Sequence, residues 1–292
     1  MRASAYIVAL LTVISSGSGC SEDRPAPEPD DNTTIVFTLT AERIATTTAT
    51  IGEFNVTAYT DNAEIMNHVN VTRTGDNTWT YYPPVEWPQL PVNFIAISPS
   101  DVDYSVNKYW EHNIHNYECT GKEDLLIATA YNCSQGTGKQ TLNFRHALIN
   151  VIVKIYTPEP EKDVKVTRVQ LRELAGVGDY YFPKTTTASG GDNYGSWTTY
   201  YNGAYYTVFD NDTLQLTATP QTANNTDIEF FIPSKLNDLQ TEGYVRGSCI
   251  AVTYTVGDGG TSSTAYYPLA SVLTDNTWKS GTQYIYTLRL NP

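Results

Sequence analysis

Signals of catalysis and metal binding are scarce in this sequence. It has only 4 His and 4 Cys, none of them in a CxxC or HxxxH spacing that would suggest zinc. It also has no GxSxG turn, P-loop or dinucleotide-binding fingerprint. His112 and His115 are spaced for a metal site on a helix, but their surroundings show little helical pattern. We therefore expect no enzyme activity, no metal and no cofactor.

Positive charge is also limited. Lys and Arg number 18 against 31 Asp and Glu, which gives a formal net charge of −13. An acidic protein repels the phosphate backbone of nucleic acids and the surface of anionic membranes. The composition therefore argues against nucleic-acid binding and against attachment to a membrane through a basic patch.

Long apolar runs are missing apart from residues 5–14, which are too few for the ~20 residues that span a bilayer. This run follows Arg2 and is typical of a cleaved export signal. The small residues 15–19 then lead to Cys20, and the pattern resembles the lipobox of bacterial lipoproteins, although Gly17 stands where an aliphatic residue is usual. An ordinary secretory signal with an incidental cysteine is the alternative.

Residues 1–19 are accordingly expected to be a signal peptide, and residues 20–33 a lipidated N-terminus and tether. Acyl chains on Cys20 would anchor the chain to the membrane. Ser21, Glu22 and Asp23 resemble the surface-export signal of Bacteroidetes lipoproteins. The proline-rich residues 24–32 favour an extended spacer. We expect an outer-membrane protein that faces the cell exterior.

Helical periodicity is nearly absent, and only residues 125–131 and 234–239 are short helical candidates. Elsewhere, apolar and polar residues alternate over strand-length segments such as residues 35–40, 53–59 and 284–290. Tyr, Thr, Val and Ile are abundant and favour strands. The sequence therefore predicts an all-β protein.

The strongest predicted strand covers residues 142–156. Residues 157–163 follow with two prolines, which prevent a strand from continuing. We take them as a linker between an N-terminal sandwich of residues 34–156 and a C-terminal sandwich of residues 164–292. Two antiparallel β-sandwiches in tandem are the simplest arrangement.

Three cysteines lie beyond the signal region. Cys119 and Cys133 are close enough in sequence to pair, and an exported protein passes through an oxidising compartment. Cys249 lies in an apolar run and is expected to be a small buried hydrophobe.

Aromatic residues cluster with Gly, Ser and Asn in residues 179–206. Trp197, Tyr200 and Tyr201 are candidate ligand-binding residues, because rigid aromatic rings give contact area at a low entropy cost. The alternative is that these rings fill the core of a sandwich.

Several motifs in this order resemble the fimbrillin family of Bacteroidetes. They are residues 94–99 (Phe-Ile-Ala-Ile-Ser-Pro), 124–128 (Asp-Leu-Leu-Ile-Ala), 142–148 (Leu-Asn-Phe-Arg-His-Ala-Leu), 231–233 (Phe-Ile-Pro) and 278–286 (Trp-Lys-Ser-Gly-Thr-Gln-Tyr-Ile-Tyr). The resemblance extends over nearly all of the chain beyond the tether. It implies two transthyretin-like β-sandwich domains in a lipoprotein precursor of a pilus subunit, anchor, tip or adhesin.

The resemblance also implies a mode of assembly. In pilus-forming members, an arginine-specific protease removes the first strand, and a strand from a neighbouring subunit takes its place. Arg43 follows the first predicted strand here and is the candidate cleavage site. The implied partners are other pilin subunits, the outer membrane, and host or bacterial surface ligands. The alternative is a surface glycan-binding lipoprotein that does not polymerise.

Overall fold

The computed structural model describes residues 33–41, 51–75, 78–106, 112–136, 139–187, 193–240, 246–273 and 275–292. The strands are β1 (Val36–Ala41), β2 (Glu53–Tyr59), β3 (Glu64–Gly75), β4 (Thr78–Thr80), β5 (Val92–Ser98), β6 (Ser105–Val106), β7 (His112–Glu118), β8 (Leu126–Cys133), β9 (Lys139–His146), β10 (Ile149–Tyr156), β11 (Val164–Tyr181), β12 (Ser196–Phe209), β13 (Leu214–Gln215), β14 (Gln221–Thr222), β15 (Phe230–Phe231), β16 (Cys249–Val256), β17 (Ser263–Pro268) and β18 (Gln283–Arg289). Two single-turn 3₁₀ helices, Pro160–Lys162 and Ala270–Val272, are the only helices in these ranges. The predicted all-β class is confirmed.

The strands form three sheets. Sheet A has seven strands in the order β1-β9-β8-β5-β2-β3-β4. Sheet B contains β14, β10 and β15, with β18 also paired to β10, and sheet C runs β17-β16-β11-β7-β6, with β12 and β13 paired to β11. Most pairs are antiparallel, as predicted, but β1 pairs with β9 and β18 with β10 in parallel.

Three apolar cores hold these sheets together. Core 1 lies between sheets B and C and includes Val151, Val169 and Trp278. Core 2 fills the concave side of sheet A and includes Phe37, Phe54, Phe94 and Phe144. Core 3 joins the other face of sheet A to the far end of sheet C, and it includes Ile95, Ile127, Ala147, Tyr180 and Phe182. Sheet A is therefore covered on both faces.

Covering on both faces explains the wrong helical prediction for residues 125–131. Leu126 and Ala128 of β8 face core 2, whereas Leu125 and Ile127 face core 3. A strand buried on both faces reads as a continuous apolar run, which resembles a buried helix in sequence.

The predicted boundary at residues 157–163 does not separate the sheets. The predicted single strand of residues 142–156 bends after His146, and β9 stays in sheet A while β10 begins sheet B. The prolines mark the turn between β10 and β11, whose side chains share core 1. The long strand β11 also carries side chains of cores 1 and 3. The change of sheet thus falls near Ala147, where no proline signals it.

Candidate functional site: the seat of the first strand

Strand β1 occupies the edge of sheet A. It pairs with β9 in continuous parallel register from Val36 opposite Lys139 to Ala41 opposite Phe144. The side chains of Ile35 and Phe37 are fully buried, and Leu39 packs partly against the same core. This period of two is the side-chain alternation of a strand with one face on the core. We call the surface that receives these side chains the β1 seat.

Phe37 is the centre of the β1 seat. Its ring makes edge contacts with Phe54 and Phe94 at centroid distances of 5.8 and 5.9 Å, and a tilted contact with Tyr81 at 5.7 Å. Edge-to-face contacts of this kind add to the gain from burial itself. The seat therefore has one deep aromatic pocket beneath the middle of the strand.

The segment after β4 supplies a second edge to the start of β1. Ile35 donates its N–H to the carbonyl of Val85 at 2.9 Å, and Trp87 donates to the carbonyl of Thr33 at 2.7 Å. The hydroxyl of Tyr81 donates to the carbonyl of Ile35 at 2.8 Å. Sheet A curls so that this segment reaches β1 from the side opposite β9. The sequence does not reveal this role, because Pro83 and Pro84 indicate only the end of a strand.

Two predicted processing residues, Cys20 and Arg43, lie outside the described residues. Arg43 comes two positions after the last residue of β1, Ala41. Lipidation at Cys20 and cleavage at Arg43 stay predictions.

A buried acid–histidine pair explains why two of the sequence motifs occur together. His146 at the end of β9 is fully buried, and its Nδ1 makes a short contact with the Asp124 carboxylate. Asp124 also accepts the N–H of Leu125 at 2.8 Å, and Ala147 donates to the carbonyl of Leu125 at 2.7 Å. The pair thus stabilises the bend at which the chain passes from sheet A to sheet B. This bend lies at the end of β9, the strand with which β1 pairs.

Trp197, one of the candidate ligand-binding residues, belongs in part to the core. Its ring packs against Tyr180 and Tyr117 at centroid distances of 5.0 and 5.6 Å, and its Nε1 donates to the carbonyl of Ala147 at 2.9 Å. The side chain is half-buried. Trp197 therefore secures the junction between sheets A and C and keeps part of its ring at the surface.

Tyr200 is a better exposed candidate. It is 56% exposed, and its hydroxyl donates to the carboxylate of Asp179. This hydrogen bond is the main reason why the pKa of Tyr200 is raised to about 12. Burial alone would raise the pKa of Asp179, but the bonds from Tyr200, the Asn116 N–H and His115 outweigh it and leave that pKa below its usual value. The side chain of Tyr201 lies outside the described part of the molecule.

The predicted disulfide is absent, and Cys119 and Cys133 are both free thiols. Cys119 is buried in core 3, whereas Cys133 packs against core 2 on the other face of sheet A. Fourteen residues of separation do not reveal that two cysteines face opposite sides of one sheet. Cys249 is 1% exposed, as expected for a small hydrophobe.

The two histidines considered for a metal point to different surroundings. His112 is buried, with its Nε2 2.7 Å from the Tyr59 hydroxyl, and burial lowers its pKa to about 4. His115 is exposed and contacts Asp179. Within the described ranges, no three His, Cys, Asp or Glu side chains form a metal-ligating group. In the same ranges, no helix has the length and apolar character needed to cross a membrane.

The fold and the β1 seat together define an all-β protein in which the first described strand is a short edge strand that pairs in parallel. A family model described as fimbrillin-like matches residues 29–292. The chain therefore belongs to the fimbrillin-like family, whose members are structural and adhesive proteins of the cell surface. No curated protein matches it.

Two of the solved structures that are similar to this chain are of bacterial proteins. A Bacteroides uniformis protein assigned to cell adhesion superposes with a TM-score of 0.51 at 15% identity, covering 90% of this chain and 94% of its own. The tip fimbrial protein Mfa3 from Porphyromonas gingivalis, truncated at its C-terminus, gives 0.45 at 11% identity, with 89% and 96% covered. At these identities the first similarity supports the fold, and function depends on the site itself.

Proposed function

We propose that this protein is a surface fimbrial subunit or fimbrial adhesin that assembles by strand replacement. In this proposal β1 leaves the β1 seat after proteolytic trimming, and a strand of another subunit takes its place. The observation that carries the proposal is the construction of the seat: one short strand lies between β9 and the segment after β4, with its apolar side chains in an aromatic pocket.

Removal of β1 would create a strong acceptor for a foreign strand. It would expose the rings of Phe54 and Phe94 and leave backbone groups of β9 unpaired. Buried apolar side chains of this size are worth about 1.5–3 kcal/mol each when fully buried. An incoming strand with apolar residues at alternate positions restores both the burial and the hydrogen bonds, which is β-augmentation.

Trimming and anchoring complete the proposal. Cleavage after Arg43 would detach β1 together with the tether, and the acyl chains on Cys20 would hold the precursor at the outer membrane until then. Since the bond lies two residues beyond β1, a cut there releases the whole strand and leaves β2 in place.

The test is treatment of the purified mature chain with an arginine-specific protease, followed by N-terminal sequencing and SDS electrophoresis without heating. We expect a new N-terminus at Ile44 and SDS-resistant oligomers. The matched control, Arg43→Lys, should stay uncut there and monomeric. Arg73, in the exposed strand β3, should resist cleavage because a paired strand does not fit a protease cleft. An intact Arg43 bond, or trimmed chains that stay monomeric, would contradict the proposal.

A second candidate function, glycan binding without polymerisation, is favoured by the exposed ring of Tyr200 on β12, the strand that also carries Trp197. Tyr200→Ala removes the exposed ring and leaves core 3 intact, whereas Trp197→Ala also removes core contacts. If glycans bind here, Tyr200→Ala should weaken binding more than Tyr200→Phe, which loses the same hydrogen bond to Asp179 but keeps the ring. Unchanged binding would exclude this surface.

A further inference from the structure

A cleft of about 860 Å³ opens where sheets B and C meet at the start of β12. Its walls come from three segments: residues 194–199 at the start of β12, residues 233–235 after β15, and residues 277–282 before β18. Two of these segments are joined by backbone pairing, because Lys235 bridges Thr277 and Trp278 donates its N–H to the Ser234 carbonyl at 3.1 Å. The volume is typical of small-molecule sites.

The cleft is positively charged within an acidic protein. Lys235 and Lys279 are exposed at its wall, and no acidic residue is among the described residues that line it. Neither lysine makes an ion pair with the described part of the chain. Tyr194, which lines the cleft, also has the guanidinium of Arg145 4.3 Å from the centre of its ring. In a chain of net charge −13, two exposed ammonium groups with no ion pair to the described residues point to an anionic ligand.

The rest of the lining is suited to a polyhydroxylated ligand. Tyr194 and Trp197 present aromatic rings, and Thr199, Thr277 and Thr282 add hydroxyls. The ring of Tyr194 is held in place because it lies directly on Gly281, where a Cβ would come within 2.2 Å of its Cε1. Rigid rings with surrounding hydroxyls give both stacking area and hydrogen bonds.

Ser234 provides an independent observation that points to a ligand. It lines the cleft, is 7% exposed, and its buried Oγ has no hydrogen-bond partner among the described residues. A buried hydroxyl without a partner costs about 1–3 kcal/mol, so such groups normally have one. A ligand hydroxyl or carboxylate that reaches this oxygen would supply the bond that the described residues do not.

We propose that this cleft binds an acidic saccharide, with its carboxylate or sulfate at Lys235 and Lys279 and a sugar ring against Tyr194 and Trp197. The proposal rests on the surface location proposed above. It requires neither release of β1 nor polymerisation, so its failure and the failure of strand replacement are separate results.

The experiment measures binding of the untrimmed mature chain to charged and neutral saccharides by calorimetry. Oligogalacturonides, sialyllactose and heparin oligosaccharides cover the sources of acidic sugars, and galactan oligomers and lactose are the neutral counterparts. At least one acidic class should bind tenfold or more tightly than its counterpart, and more weakly as salt rises. Binding of no acidic saccharide, equal binding of the neutral ones, or equal competition by polyglutamate would overturn the proposal.

Variants locate the site. Lys235→Gln and Lys279→Gln should each weaken binding about tenfold, the effect of one lost charge-assisted hydrogen bond. The control Lys122→Gln, an exposed lysine outside the cleft, should bind as the parent does. Ser234→Ala should weaken binding without lowering the urea midpoint, because the described residues offer its Oγ no hydrogen bond. Parental affinity in the lysine variants, or a Ser234→Ala variant that loses stability and keeps affinity, would contradict the assignment.

Discussion

The strands β1 and β18 occupy similar places but are held differently. Each lies near one end of the chain, and each pairs in parallel with one of two consecutive strands, β1 with β9 and β18 with β10. Each buries alternate side chains in a core. The same strand geometry therefore occurs at the edge of sheet A and in sheet B.

Side-chain chemistry separates the two. The buried side chains of β1 are apolar. Among the described residues, a side chain of β1 donates or accepts a hydrogen bond at the surface, where the hydroxyls of Thr38 and Thr141 lie 2.9 Å apart. In β18 the hydroxyl of Tyr286 accepts the Nε1–H of Trp278 at 2.8 Å, and that of Tyr284 accepts the N–H of Lys279 at 2.9 Å. Apolar contacts are non-directional, whereas buried hydrogen bonds specify one partner. This difference fits the proposed strand replacement: another apolar strand could fill the β1 seat, whereas β18 depends on hydrogen bonds of its own.

The largest expected effect is at the centre of the β1 seat. Phe37→Ala removes a fully buried ring from an aromatic cluster and should lower the free energy of unfolding by about 3–5 kcal/mol in urea titrations. Its control, Val36→Ala, changes a neighbour that is 39% exposed and should cost about 0.5 kcal/mol. Equal effects at the two positions would mean that β1 is not seated as described.

A smaller effect is expected in β18. Tyr286→Phe removes the acceptor of the buried Trp278 N–H and should cost about 1–3 kcal/mol by the same titration. Tyr254→Phe is the matched control in core 1, because the described residues offer the Tyr254 hydroxyl no hydrogen bond, and it should change stability little. If both variants behave alike, hydrogen bonding does not distinguish β18 from β1.

Acid should weaken the junction of sheets A and C. His112 on β7 contacts Tyr59 on β2, and burial lowers its pKa to about 4 from an ordinary 6.5. Between these values the unfolded chain binds a proton that the folded chain does not, so stability falls as pH decreases from 6.5 to 4. Urea midpoints at pH 7 and 4.5 should differ less in His112→Gln than in the parent. The same difference in both would exclude His112 as the cause.

Thiol labelling compares the two regions without changing stability. Burial raises the pKa of both Cys133 and Cys249 to about 11, so both should react slowly with iodoacetamide at pH 7.5. Cys133 packs against core 2, which includes the side chains of β1, whereas Cys249 lies in sheet C. Mass spectrometry of the chain labelled during trimming, before oligomers form, should show faster labelling of Cys133 only. Faster labelling of Cys249 would show that loss of β1 opens the whole molecule.

Local patterns in the sequence predicted much of the fold. The alternation in residues 284–290 predicted β18, with Tyr284, Tyr286 and Leu288 on one buried face. These features depend on neighbouring residues. Parallel pairing and the curl of sheet A depend on contacts far apart in sequence, and no local pattern records them.

The candidate site was likewise predictable only where it depends on residues that are neighbours in sequence. Residues 35–40 were recognisable as a strand, but the pocket under Phe37 is assembled from Phe54, Tyr81 and Phe94, which periodicity cannot bring together. Trp197 was predicted to bind a ligand or to fill the core, and the structure gives it contacts with the core as well as a place at the cleft. Composition alone could not decide between the two.

The most direct test of the account is uptake of a fluorescent peptide copy of residues 33–43 by the trimmed chain, followed by anisotropy. Three forms are compared: the parent, Thr38→Cys with Thr141→Cys to lock β1 to β9, and Lys154→Cys with Thr287→Cys to lock β18 to β10, at positions paired in the sheets. The account predicts uptake by the parent and by the β18-locked form, and none by the β1-locked form until a reductant is added. Uptake by the oxidised β1-locked form, or by none of the three, would contradict it.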